Sequence, residues 1–297
     1  VDLHAEGGMK GNQTNRLAPL RPILKWAGGK RWLATHVAHL YEPYRDRRLV
    51  EPFCGGLSIA LHLRPRRALL ADINPHLINF YRQVQLGLKI DEFPRTTERA
   101  FYESRDEFNK IVKAGGQDTP EAAVLFYYLN RTCYNGLCRF NKGGGFNVPY
   151  GFYKRPQLQK TFDEYRKAFA QWEFRACSFR DLLPEGNDFL YVDPPYHVTF
   201  SQYSKEGFSW RDQRAVAERY AAHPGPVVLS NSKTAHISRL YRKNGYSLVD
   251  RHGPRMISCD GDRTRAKEVV GTLNILPGPV LGASALPTPR LGDVLPA

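Results

Sequence analysis

Hydrophobic positions along this chain fall into short unbroken runs separated by longer stretches of helical period, the rhythm of strands alternating with helices. Phe189-Leu190-Tyr191-Val192 is the clearest run, and it stops abruptly at Asp193-Pro194-Pro195-Tyr196. A proline pair continues neither a helix nor a ladder, so the backbone must turn out at the strand's carboxyl end. Leu49-Val50 leads into Glu51-Pro52-Phe53-Cys54-Gly55-Gly56, which reads as a strand, a glycine turn and a helix beginning near Leu57-Ser58. Ala68 to Asp72 reads as the next strand, and strand, helix, strand in this order makes a right-handed parallel crossover. Further strands are expected at Val227 to Ser230 and Val269 to Ile275, and helices at Arg31 to Leu40, Trp210 to Ala222 and Thr234 to Lys243. The predicted class is α/β, a doubly wound sheet.

Residues 76–174 interrupt the alternation. Their first part is helical, clearest at Ala122 to Leu129, and a Gly/Asn/aromatic segment from Tyr134 to Tyr153 follows. They are expected to form a subdomain inserted into the sheet-bearing domain, which takes 20–75 and 175–276. The polar segment 1–19 and the proline-rich segment 277–297 carry no core-building pattern and are expected to be disordered tails.

Charge narrows the partners. The 297 residues hold 43 Lys+Arg against 29 Asp+Glu, a formal net charge of +14 and a sequence pI near 9.6. Such an excess favours a polyanion, nucleic acid before an anionic membrane surface, because no run approaches the roughly 18 apolar residues a spanning helix needs. No signal peptide is evident. Five scattered cysteines, Cys54, Cys133, Cys138, Cys177 and Cys259, suggest neither a disulfide framework nor a zinc site, and point to a reducing compartment.

The candidate chemistry gathers at strand ends, where open α/β sheets bind ligands. Asp193-Pro194-Pro195-Tyr196 combines a carboxylate, proline carbonyls on a rigid backbone and an aromatic face. These parts suit a planar base with an exocyclic amine, although an ordinary strand-to-turn junction would read the same way. Lys25-Trp26-Ala27-Gly28-Gly29-Lys30 offers free backbone N–H groups at a helix start. Phe53-Cys54-Gly55-Gly56 lacks the full dinucleotide fingerprint, and Asp72 ends the second strand where an acidic side chain accepts from ribose hydroxyls. A turn or cap role for Asp72 beside Asn74-Pro75 stays open. A ribose-bearing ligand without a demanding phosphate fits S-adenosyl-L-methionine.

In their order, Leu24 to Lys30, Glu51 to Gly56, Ala71 to Asn74, Tyr134-Asn135-Gly136-Leu137-Cys138-Arg139-Phe140-Asn141, Phe146 to Gly151 and Asp193 to Tyr196 resemble the Dam-type N6-adenine DNA methyltransferases, alpha group. The sequence departs from the family's Phe-x-Gly-x-Gly, with Leu57 at the second glycine position and Gly56 one place earlier. The resemblance implies a Rossmann-like methyltransferase fold with a helical and β-hairpin DNA-recognition insert. It implies that Asp193, Pro194, Pro195 and Tyr196 act on a flipped adenine, without a metal. Trp26, Ala27, Gly28, Lys30, Phe53, Gly55 and Asp72 would contact S-adenosyl-L-methionine. Lys25, Tyr134, Asn135, Leu137, Arg139, Pro149 and Tyr153 would contact double-stranded DNA, with GATC as the target. A cytoplasmic monomer, bacterial or phage-encoded and acting on chromosomal or phage DNA, is the corresponding expectation. Independently of the name, residues 131–167 hold eight Lys/Arg against two Asp/Glu with aromatics interleaved, a composition that neutralises phosphates and fills a groove. An N4-cytosine or RNA methyltransferase, or a catalytically silent DNA-binding protein on this scaffold, are the alternatives.

Overall fold

A computed structural model describes residues 18–196, 208–253 and 266–276. The expected tails lie almost wholly outside these residues, as does Cys259. Seven strands form one sheet in the order β3-β2-β1-β4-β5-β7-β6: β1 Leu49–Glu51, β2 Ala68–Asp72, β3 Trp172–Ala176, β4 Phe189–Val192, β5 Val227–Ser232, β6 Ser247–Gly253 and β7 Ala266–Leu273. β3, β2, β1, β4 and β5 run parallel, and β7 is antiparallel to both β5 and β6. This is the doubly wound α/β architecture expected.

Strands buried on both faces explain the unbroken apolar runs. Leu49, Ala68, Leu70, Phe189 and Tyr191 point into one core, whereas Val50, Leu69, Ala71, Leu190 and Val192 point into the other. The second core is closed by helices α7 (Trp210–Ala221) and α8 (Ala235–Lys243). On the first face lie α1 (Arg31–Tyr41), α2 (Ser58–Leu63) and α3 (Pro75–Leu86). Helix starts follow local chemistry. Asn74 caps α3 ahead of Pro75, Ser209 and Asp212 form a reciprocal capping box on α7, and Thr234 caps α8.

Within 76–174, α4 (Glu98–Lys113) and α5 (Pro120–Thr132) each start at a threonine cap, α5 packs on α3, and α6 (Asp163–Phe169) leads into β3. The sheet resumes inside this range, because Trp172 to Phe174 already pair with Ala68 to Leu70. The aromatic side chains Phe101, Phe108, Phe126 and Tyr127 belong to the same core as Leu49 and Phe189, so no solvent layer divides the insert from the sheet. The Tyr134–Tyr153 segment is a hairpin tied by isolated antiparallel bridges, Cys133 to Tyr150 and Phe140 to Phe146, and not by a continuous ladder.

Candidate active site

The chain order reverses between β1, whose neighbours are β2 and β4, and a cleft of about 770 Å³ opens at the carboxyl ends of these strands. Three carboxylates line it from the strand ends: Glu51 of β1, Asp72 of β2, and Asp193 just after β4.

One wall is the glycine turn after β1. Tyr81 Oη donates to the Gly55 carbonyl at 2.8 Å, and the Gly55 N–H donates to Asp72 Oδ2 at 3.1 Å. Asp72 Oδ1 accepts from the Asn74 N–H at 3.0 Å. Burial raises the Asp72 pKa, against these backbone hydrogen bonds. The Trp26 indole fixes the need for glycine here: a Cβ at Gly55 would come within 2.7 Å of its Nε1, and one at Gly56 within 2.8 Å of its Cβ. Leu57, at the family's glycine position, adopts φ +58° and is fully buried. The left-handed turn is kept at a cost on the order of 1–2 kcal/mol that a leucine in the core offsets. The remaining walls are Trp26, Phe53, Ile73 and Phe179, with Phe53 and Phe179 in tilted ring contact at 5.4 Å.

Asp193 sits opposite. Its Oδ2 pairs with Lys30 Nζ at 3.1 Å and its Oδ1 accepts from Ser230 Oγ at 2.8 Å. Lys30, only 4% exposed, also donates to the Gly28 carbonyl at 2.6 Å and lies 4.5 Å from the Tyr196 ring centroid. Pro194 is buried. Pro195 is exposed, and its carbonyl accepts from Gln213 Nε2 at 2.7 Å, which pins the turn to α7. Tyr196 Oη donates to Glu268 Oε2 at 2.6 Å.

Glu51 was not expected to belong to the site, yet it is 2% exposed and its Oε1 has no hydrogen-bond partner among the described residues. Burial pushes its carboxyl well above the usual range, and the neighbouring Asp193 adds to the rise. The signal was present, because Glu51 ends an apolar strand as Asp72 does. Ile73, 78% exposed beside Asp72, and Phe179 carried no such signal.

The residues expected to meet DNA gather in part. Asn130, wholly buried on α5, accepts from the Lys25 N–H at 2.9 Å and donates to the Lys25 carbonyl at 2.8 Å. Lys25 Nζ lies 3.4 Å from the Tyr153 ring centroid and donates to the Arg131 carbonyl at 3.3 Å. Burial and the nearby Arg131 push the Lys25 pKa down to about 8. Gly136, at φ +62°, has no room for a side chain, since a Cβ would lie 2.3 Å from that of Lys25. Tyr134 and Asn135 are exposed, and the Tyr134 N–H donates to the carbonyl of exposed Pro149 at 2.8 Å. Arg139 is exposed, its guanidinium donating to Asn147 Oδ1 at 2.8 Å and to the Asn147 carbonyl at 3.1 Å. Leu137 does not share its exposure. It is half-buried against the core because this stretch is not an extended strand with a regular alternation of faces.

No group of three or more His, Cys, Asp or Glu side chains suited to a metal ion occurs among the described residues, and no helix among them is long and apolar enough to cross a membrane.

Comparison with known proteins gives this cleft a family. The chain is 37% identical over 262 residues to a DNA adenine methylase of Vibrio cholerae serotype O1, covering 81% of this chain and 91% of that protein. It is 38% identical over 263 residues to the retron Ec67 DNA adenine methylase of Escherichia coli, covering 84% and 90%. Against the DNA N-6-adenine-methyltransferase of Escherichia phage P1 the identity is 34%, covering 85% of this chain and 35% of that longer protein. Residues 26–257 match the model of the D12 class N6 adenine-specific DNA methyltransferases, and the chain belongs to that family.

Proposed function

We propose that this protein transfers a methyl group from S-adenosyl-L-methionine to N6 of an adenine swung out of duplex DNA, within GATC. The observation that carries the reading is the meeting in one cleft of the Asp72–Gly55 wall with the Asp193–Tyr196 wall.

The residues present fit the cofactor. Each Asp72 oxygen takes one backbone N–H and keeps a lone pair for a ribose diol. Trp26, Phe53 and Ile73 offer apolar surface to a planar base, and the unpartnered Glu51 Oε1 suits a cationic group. Ala27, Gly28 and Lys30 line the same cleft. When bound, the cofactor supplies an electrophilic methyl group on a sulfonium.

The protein's part is orientation. Asp193 accepts from the adenine amine with the lone pairs that Ser230 and Lys30 leave free, and the Pro194 carbonyl accepts its second N–H. Tyr196 stacks on the ring. Acceptors fixed this way hold the amine nitrogen in line for attack and favour the positive charge that builds on it. Residues 76–174 carry target recognition in this reading. Tyr134 fills the stack beside the vacated base with Asn135 in support, and Lys25, Leu137, Arg139, Pro149 and Tyr153 face base edges.

Single-turnover methylation of a GATC duplex, paired with calorimetric cofactor titration, tests the reading. Asp193→Ala should abolish transfer while leaving cofactor affinity within about tenfold, because the carboxylate orients the amine and is not a main cofactor anchor. Near-normal transfer by this variant would remove Asp193 from the site. A wild-type preference for adenine in another sequence would remove GATC alone.

A further inference from the structure

The carboxylate of Glu268 has no place in the reading above, yet it is built into the site. It lies on β7, opposite Ser232 of β5 and Arg251 of β6, and is 5% exposed. Its Oε2 takes the Tyr196 hydroxyl at 2.6 Å, a short charge-assisted bond. Burial raises its pKa, whereas the Lys30 ammonium and the Tyr196 hydrogen bond lower it. A tyrosine ring on a turn has two free torsions, and the turn itself fixes neither. Lys30 holds one face of this ring at 4.5 Å from its centroid, and Glu268 holds its far end.

We propose that Glu268 is a positioning residue for methyl transfer, fixing the Tyr196 ring through its hydroxyl at the angle at which the ring stacks on the target base. The inference rests on the adenine reading given above. A ring held at one face and at its hydroxyl presents a preformed platform, and releasing the hydroxyl lets it rotate, so that the amine loses its alignment. Misplacing a reacting group by about 1 Å can cost on the order of 100-fold in rate.

The test uses the full chain on a GATC duplex, measuring single-turnover rate, cofactor affinity and melting temperature for Glu268→Ala, Glu268→Gln and Tyr196→Phe. Tyr196→Phe keeps the ring and leaves β7 untouched, so it tests the bond even if Glu268→Ala fails to fold. Glu268→Ala and Tyr196→Phe should each lose roughly 10- to 100-fold in rate with cofactor affinity unchanged. Glu268→Gln, whose amide oxygen still accepts from the hydroxyl, should recover most of it. The double variant should be no slower than Tyr196→Phe alone, because both remove one interaction. With 2-aminopurine at the target position, the Glu268→Ala complex should fluoresce more brightly than wild type as the base leaves the quenching ring. A merely structural role would move the melting temperature but not this signal. Wild-type turnover by Tyr196→Phe, or additive losses in the double variant, would overturn the proposal while the adenine reading stands. A wild-type chain that methylates no adenine would overturn both.

Discussion

Lys30 is the cation paired with Asp193 in the cleft, so Lys30→Met gives a quantitative test of the site's electrostatics. The substitution keeps the length of the side chain and deletes its charge. Among the described residues Asp193 then retains the Ser230 hydrogen bond alone, with Glu51 and Glu268 both acting on it unfavourably. Breaking a fully buried ion pair costs about 3–5 kcal/mol. Asp193 keeps 17% exposure, so about 2–3 kcal/mol is the better expectation here. For a chain of this size that is a fall of roughly 3–5 °C in melting temperature. The pH dependence carries a sign. Glu268 already titrates above its unfolded value because of burial, with Lys30 opposing the rise, and removal of the ammonium raises it further. Carboxyls with raised folded pKa values bind more protons folded than unfolded, so their contribution is favourable at low pH and is lost as pH rises through the folded value. Thermal denaturation of both proteins between pH 5 and 8 should therefore show a gap that is small at the acid end and widens upward. A constant gap, or none, would refute the argument.

Asp72→Ala should weaken cofactor binding roughly 10- to 100-fold, as expected for lost charge-assisted hydrogen bonds, and unchanged affinity by calorimetry would return Asp72 to a turn role. Arg139→Ala should relax discrimination at one guanine by about 1–3 kcal/mol, read as methylation rates on GATC and its single-base variants at fixed salt; an equal loss on all sequences would exclude base readout by this residue. Because Lys25 titrates near 8 when free, and a DNA acceptor holds its proton, wild-type DNA affinity should fall above that pH by up to about tenfold per unit, whereas Lys25→Met should show no such slope in anisotropy titrations at constant ionic strength.

The strands that carry the site were readable because both their faces are buried, which leaves unbroken apolar runs at Leu49, Ala68, Phe189 and Val227 with an acid or a turn at the end. Strand β6 was not, because Ser247–Gly253 is an edge strand exposed or half-buried at every residue but its last, which leaves a polar sequence. β3 escaped notice for a similar reason, since Trp172, Glu173, Phe174 and Arg175 alternate with one exposed face. Within the site, Asp72 and Asp193 were marked by their places at strand ends. Glu268 sits in mid-strand, where a carboxylate normally signals a solvent face, and its hydrogen-bond partner Tyr196 lies 72 residues away.

The shared core has a consequence for how new target preferences arise. With Phe101, Phe108 and Tyr127 packed into the same interior as the sheet, 76–174 is not a cassette that can be exchanged between relatives without exposing both halves of one core. The hairpin is different. Cys133 and Tyr150 lie paired at its base, and half of what extends beyond them is exposed, including Arg139, Asn141, Lys142 and Gly144. In the proposed reading, drift in sequence preference, natural or engineered, should therefore be concentrated at the exposed positions between those paired residues, where substitutions change what is read without disturbing the buried Phe146 and Val148.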